Sequence, residues 1–115
     1  MKFHPSLTVE RWRSFPWDKR LLNIAAELSR AKNLIRDKEY DWANQAIARA
    51  LELVDLTVEA GTDDKPPFFL RELLRFRELL AGFYVSEEKE DREFITMFRG
   101  FLDLDPDVHN LQLRI

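Results

Sequence analysis

Cysteine is absent from this chain of 115 residues, which excludes disulfides and thiolate chemistry. Glycine is scarce, with three residues, and β-branched residues never cluster, so a sheet protein is disfavoured. No apolar run approaches the roughly 20 residues of a membrane span, and the first residues lack the apolar core of a signal peptide. These absences predict a cytoplasmic protein, and the many Leu, Ala, Glu and Arg residues favour helices.

Apolar residues are plentiful, at 45% of the chain, and aromatic residues make up 12%, so a packed core is expected. The length predicts one domain over residues 1–115. Residues 1–40 carry nine basic and five acidic side chains, whereas residues 41–115 carry nine basic and sixteen acidic ones. This dipolar charge suits contacts between the two halves or between copies. It is not the strongly basic pattern of a nucleic-acid-binding protein, so that function is a minor alternative.

A long amphipathic helix is predicted over residues 41–61. At 100° per residue, its apolar side chains share one arc, and they are Trp42, Ala43, Ala46, Ile47, Ala50, Leu51, Leu53, Val54 and Val58. Glu52 and Asp55 lie on the opposite arc and are expected to face water. Gly61 can end the helix, because it accepts a left-handed backbone. One broad apolar face requires at least two partner helices.

Similar periods predict helices over residues 16–37 and 67–85. A fourth helix is expected to begin at a Ser86 cap, with Glu87 and Glu88 in its first turn, and to end at Asp105. The predicted fold is therefore all-α, an up-down-up-down four-helix bundle. Residues 1–13 are expected to form a short helix or an ordered arm. The C-terminal tail is expected to be docked, a turn of helix, or disordered.

Two resemblances accompany this pattern. Residues 38–41 with Ala43, Ile47 and residues 50–53 resemble one tetratricopeptide hairpin, although Arg30 stands where that repeat requires a large apolar residue, so the likeness is generic. The chain also resembles a group of small, uncharacterised bacterial all-helical proteins. That likeness is carried by residues 14–16, 23–31, 50–57 and 71–78, and it implies the helical fold but no activity.

Arg77 falls inside the apolar arc of the third long helix. An unpaired guanidinium buried there would cost several kcal/mol, so a partner is expected. Glu27, at the edge of the apolar stripe of the first long helix, is the predicted ion-pair partner. Two alternatives are an Arg77 that extends to water at the bundle edge, and an anion-binding role.

Carboxylates offer two further hypotheses. Glu87, Glu90 and Asp91 have the spacing of one helix face, which is either a solvated acidic first turn or a weak patch for Mg²⁺ or Mn²⁺. The Glu52-x-x-Asp55 spacing suits an all-helical, metal-dependent nucleotide pyrophosphohydrolase, although the expected water-facing positions argue against it. His4 and His109 have no metal-ligand partner nearby in sequence.

The sequence therefore predicts a non-enzymatic interaction or structural module that forms a homodimer or binds another protein. Four leucines outside the main apolar stripes motivate this prediction, together with Trp12 and Trp17, and they are Leu22, Leu34, Leu56 and Leu79. No catalytic residue, cofactor, resident metal or small-molecule ligand is predicted.

Overall fold

The computed structural model describes residues 3–105, and these form five helices without a strand. In chain order the helices are α1 (Val9–Ser14), α2 (Trp17–Arg36), α3 (Tyr40–Ala60), α4 (Pro67–Val85) and α5 (Asp91–Leu102). The all-α prediction is confirmed. The predicted tail conformation concerns residues 106–115, which lie outside the described residues. None of the described helices is long and apolar enough to cross a membrane.

The four long helices contact one another in the closed order α2, α3, α4, α5 and back to α2. The short helix α1 packs on α3, which is therefore covered by α1, α2 and α4. This arrangement has the four predicted long helices and the short N-terminal helix. The alternating directions of an up-down-up-down bundle stay a prediction.

The contact between α2 and α3 is the most extensive between described helices, and small side chains explain it. Both helices carry fully buried alanines, and they are Ala25, Ala31, Ala43, Ala46 and Ala50. Because alanine adds so little bulk, such positions allow two helix axes to approach closely.

The turn between α2 and α3 is a Schellman motif. The N–H of Glu39 donates to the carbonyl of Leu34 at 2.8 Å, and the N–H of Lys38 donates to that of Ile35 at 3.0 Å. Lys38 occupies the left-handed position with φ of 61°, where glycine is preferred. The tight turn brings α3 back along α2.

The predicted start of the last helix is wrong. Residues 86–90 are not helical, and α5 begins at Asp91. The Lys89 ammonium donates to the carbonyls of Phe83 and Tyr84 at 2.8 and 2.9 Å, and also to that of Ser86. Lys89 thus satisfies carbonyl groups at the end of α4. Because its side chain folds back onto α4, residues 86–90 form a non-helical connection and α5 starts after them.

Candidate functional site

Arg77 pairs with Asp55 and not with the predicted Glu27. The Arg77 Nε lies 2.7 Å from Asp55 Oδ1, and its Nη2 lies 3.3 Å from Oδ2. The two side chains are 39% and 43% exposed, so the pair lies at the edge of the bundle. The correction has a simple cause: α4 packs on α3, and an acid on α3 is within reach. The hydrogen bond from Arg77 to Asp55 raises the pKa of Arg77.

Glu27 belongs to a different network, between α2 and α3. Its Oε1 and Oε2 accept from Arg30 Nη1 at 2.9 and 3.0 Å, and Oε2 also accepts from Arg49 Nε at 2.9 Å. The Glu27 side chain is largely buried, whereas that of Arg30 is half exposed. One carboxylate therefore has two cationic partners.

Glu52 is also largely buried, which corrects the expectation that it faces water. Its Oε2 accepts from the backbone N–H of Phe3 at 3.1 Å and contacts His4 Nδ1 at 3.1 Å. The N-terminal arm, residues 3–8, thus lies over this part of α3. Because Glu52 contacts the arm while Asp55 pairs with Arg77, their carboxylates serve separate contacts rather than one metal site. Pyrophosphohydrolase activity stays a prediction without structural support.

The acidic patch has a different geometry from the predicted helical one. Glu87 and Glu90 precede α5, and only Asp91 lies within it; all three are exposed. In the part of the chain that the structure describes, no three His, Asp or Glu side chains form a group that could hold a metal ion. The patch is consistent with an acidic helix start facing water.

A cleft of about 320 Å³ opens beside the N-terminal arm. Apolar side chains from four parts of the chain line it, namely Leu7, Trp12, Phe15, Ala26 and Leu53. The polar lining comprises His4, Asn23, Glu27 and Arg30. The sequence pattern contained no signal for this cleft, because its residues come from the arm, α1, α2 and α3.

Arg20 is a buried cation that the sequence analysis missed. It is 5% exposed, and its guanidinium stacks on the Trp17 ring with Cζ 3.7 Å from the centroid. Its Nε is buried and has no hydrogen-bond partner among the residues that the structure describes. Burial lowers the pKa of Arg20, while the nearby Asp64 carboxylate acts in the opposite direction. The indole N–H of Trp17 donates to Asp64 Oδ2 at 2.6 Å, which lowers the pKa of Asp64.

The four leucines that suggested a contact surface divide into two groups. Leu56 is fully buried and Leu34 packs against the core, so their assignment to the surface is wrong. Helix α3 is covered on three sides, which makes its buried arc wider than one stripe. Leu22 and Leu79 are exposed, at 37% and 54%.

Leu79 borders an apolar groove of about 220 Å³ between α4 and α5. The α4 wall consists of Glu72, Arg75, Phe76 and Leu79, and Thr96, Met97, Gly100 and Leu104 form the other wall. Phe68, 48% exposed, is one helical turn before Glu72 on α4. This face therefore combines exposed apolar and charged side chains.

Comparison of the chain with protein-family models, curated proteins and solved structures found no significant match. The resemblance to the group of bacterial helical proteins stays a prediction, as does nucleic-acid binding.

Proposed function

We propose that this protein is a non-enzymatic helical interaction module that pairs with a second copy of itself through α4. The order of exposed side chains along one stripe of that helix supports the proposal. At 100° per residue, four side chains lie within about 60° of one another, and in chain order they are Phe68, Glu72, Arg75 and Leu79. The stripe therefore reads apolar, acidic, basic, apolar.

This order is self-complementary. The midpoint between Phe68 and Leu79 lies between Leu73 and Leu74, and so does the midpoint between Glu72 and Arg75. A two-fold axis through that point would pack α4 antiparallel against α4 of the second copy. Each Phe68 would then face a Leu79, and each Glu72 an Arg75.

Both charged side chains are available for such a pairing. Among residues 3–105, Arg75 makes no hydrogen bond or ion pair, and Glu72 has one long contact, 3.9 Å to Arg71. An interface that repeats one patch on both copies needs acid and base within that patch, which this stripe provides. Burial of Phe68 and Leu79 would contribute roughly 25 cal/mol for each Å² of apolar surface removed from water.

The opposite wall of the groove leaves room for a second helix. Gly100 lies in the last turn of α5, and glycine within a helix costs up to about 1 kcal/mol relative to alanine. A Cβ at Gly100 would meet no atom of residues 3–105 within 4 Å, so packing within this part of the chain does not require a glycine there. Close approach of a second copy would explain a glycine at this position.

The test is the solution mass, measured by size-exclusion chromatography with light scattering over a range of concentrations. We expect about 27 kDa, twice the 13.7 kDa of one chain. Leu79→Glu should give a monomer, because it places a charge at the predicted contact. Leu74→Glu is the matched control, because Leu74 is 42% exposed on the same helix but lies off the stripe.

A charge exchange tests the pairing itself. Glu72→Arg and Arg75→Glu should each weaken the dimer, since each variant brings like charges together. The double variant should recover it, because the exchanged acid and base again face each other across the axis. A monomeric wild type at all concentrations would contradict the proposal. A dimer that tolerates Leu79→Glu, or a double variant without recovery, would exclude this face as the interface.

A further inference from the structure

We propose that a second cleft, at the start of α3, is a binding site for an alkylguanidinium group, the group that ends an arginine side chain. The cleft has a volume of about 360 Å³, and six residues of the N-terminal arm, α3 and α4 line it, namely Phe3, Asp41, Asn44, Gln45, Ala48 and Tyr84. All six are half-buried or exposed, so a ligand can reach each wall. The inference is independent of self-association, since Tyr84 lies roughly 120° or more around α4 from the stripe of the proposed dimer.

Hydrogen-bond acceptors dominate the α3 wall of this cleft. At 100° per residue, the four lining residues of α3 span about 100° of the helix surface, so they face one side. The Asp41 carboxylate is exposed and makes no hydrogen bond or ion pair within residues 3–105. The same holds for the amide of Gln45, one helical turn further along. Ala48 adds only a methyl group beside them and leaves space for a ligand.

The Asn44 amide supplies an acceptor that lacks a donor. Its Oδ1 is buried and has no hydrogen-bond partner in the part of the chain that the structure describes. A buried amide oxygen without a partner is unfavourable, because its hydrogen bond to water is lost and not replaced. The terminal torsion of asparagine is broad, so the oxygen can turn toward a donor in the cleft at little cost. A ligand with N–H groups would therefore supply a hydrogen bond that the described chain does not.

Two aromatic side chains complete the lining. Phe3 is held at the cleft by its backbone N–H, which donates to Glu52 Oε2 at 3.1 Å, one turn beyond Ala48. Tyr84 lies in the last turn of α4 and is 37% exposed. A guanidinium is attracted to the face of an aromatic ring and stacks on it, so both rings favour a planar cation.

The basic side chains that contact this lining already have partners. Arg49 has its Cζ 6.0 Å from the centroid of the Phe3 ring, but it pairs with Glu27. Lys89 donates to the carbonyl of Tyr84 and caps α4. Neither of them forms an ion pair with the carboxylate of the cleft, which is therefore available to a cation from outside.

A guanidinium matches these groups better than an ammonium does. Its planar fork carries five N–H donors, of which two can bind one carboxylate side by side while the others reach amide oxygens. It is also more weakly hydrated, which favours stacking on a ring. Since an apolar cavity of about 150 Å³ accommodates benzene, a cleft of about 360 Å³ accommodates the guanidinium together with its methylene stem.

The probe is N-acetylarginine methylamide, titrated into ¹⁵N-labelled protein and followed by two-dimensional NMR. We expect saturable shifts at the backbone amides of Asp41, Gln45 and Ala48. The citrulline analogue has the same shape without the charge and should bind at least about tenfold more weakly. The lysine analogue should also bind more weakly, because an ammonium cannot form the paired hydrogen bonds to a carboxylate.

Free arginine separates two sources of the group. Tighter binding of free arginine would identify a small-molecule ligand, whereas tighter binding of the blocked analogue would identify a side chain of a peptide. Both results support a guanidinium site.

Variants connect the affinity to the α3 wall. Asp41→Asn should weaken binding at least about tenfold. Glu59→Gln is the matched control, because Glu59 is exposed at the same angle on α3 about five turns away, and it should have no effect. Asn44→Ala should weaken binding about threefold to tenfold without lowering the urea midpoint of the unliganded protein, since its amide has no partner within residues 3–105 to lose.

Several results would refute the proposal. No saturable shift up to about 20 mM would do so. Equal binding of the arginine and citrulline analogues, an unaffected Asp41→Asn, or shifts confined to another surface would do so as well. A lysine analogue that binds as tightly as the arginine analogue would refute the assignment to a guanidinium.

Discussion

Replacement of Glu27 by glutamine tests the most connected ion-pair network among the described residues. Glutamine keeps the size of the side chain but removes the charge, and its amide N–H₂ must then lie against a guanidinium. Of the three hydrogen bonds to Glu27, two come from Arg30 and one from Arg49. The perturbation is therefore electrostatic, and it leaves the packing between α2 and α3 in place.

The expected loss follows from exposure. Arg49 is about three-quarters buried, so its charge-assisted hydrogen bond should contribute about 1.5 kcal/mol. The Arg30 side chain is more than half exposed, and its i,i+3 contact should contribute at most about 0.5 kcal/mol. Together these give about 2 kcal/mol of unfolding free energy. For a domain of this size, that corresponds to a fall in melting temperature of roughly 10 °C.

Urea unfolding is the suitable assay, because urea does not screen charges. Double-mutant cycles should give a coupling of about 1.5 kcal/mol for Glu27 with Arg49 and about zero for Glu27 with Arg77. Glu59→Gln, an exposed acid on α3, is the control and should change stability by less than about 0.5 kcal/mol. A loss no larger than that of the control, or a measurable coupling to Arg77, would refute this account of the network.

Three shorter predictions concern local structure. Lys38→Gly should raise the unfolding free energy by about 0.5–1 kcal/mol, because glycine accepts the positive φ of that position, whereas Lys38→Ala should be neutral; urea unfolding measures both. The Trp17 indole N–H resonance should titrate in NMR with a midpoint below 3.8, the ordinary pKa of an aspartate, and Asp64→Asn should abolish this titration. Since the pKa of Asp64 is lowered in the folded protein, its stabilising contribution is present above pH 3.8 and is lost as the pH falls through the folded value. Lys89→Met should cost about 1–2 kcal/mol by freeing carbonyls at the end of α4, and a loss below about 0.3 kcal/mol in thermal unfolding would contradict that capping role.

Helix periodicity in the sequence predicted much of the fold. The expected residues 67–85 are the bounds of α4, and α2 and α3 differ from expectation by one residue at each end. Turn chemistry explains this success, since prolines start α4 and Gly61, with φ of 96°, follows α3. At Ser86 the same reasoning failed. Serine followed by acids is a sound local signal for a helix start, but Lys89 folds back onto α4 and keeps the connection extended.

Side-chain environments were predicted less well, because periodicity assigns a face but not its neighbours. Trp42 lies on the apolar arc of α3, yet it is 61% exposed. A helical period shows which face of α3 is apolar, but it does not show how far the neighbouring helices extend along α3. Glu52 was expected to face water, but the N-terminal arm covers it. The contact is between Glu52 and His4, which are 48 residues apart in the sequence. The predicted pairing of Arg77 failed for the same reason, since a choice between Glu27 and Asp55 depends on which helices are adjacent.

Because the three tryptophans are buried to different extents, the intrinsic fluorescence of this protein can report on its unfolding. Trp12 is sealed between α1 and α3, Trp17 lies half-buried beside the α3–α4 loop, and Trp42 is largely in water. Emission of buried Trp12 should shift to the red when α1 detaches, whereas that of Trp42 should change little on unfolding. Single-tryptophan variants would therefore show whether α1 leaves the bundle before the long helices separate, without an added dye.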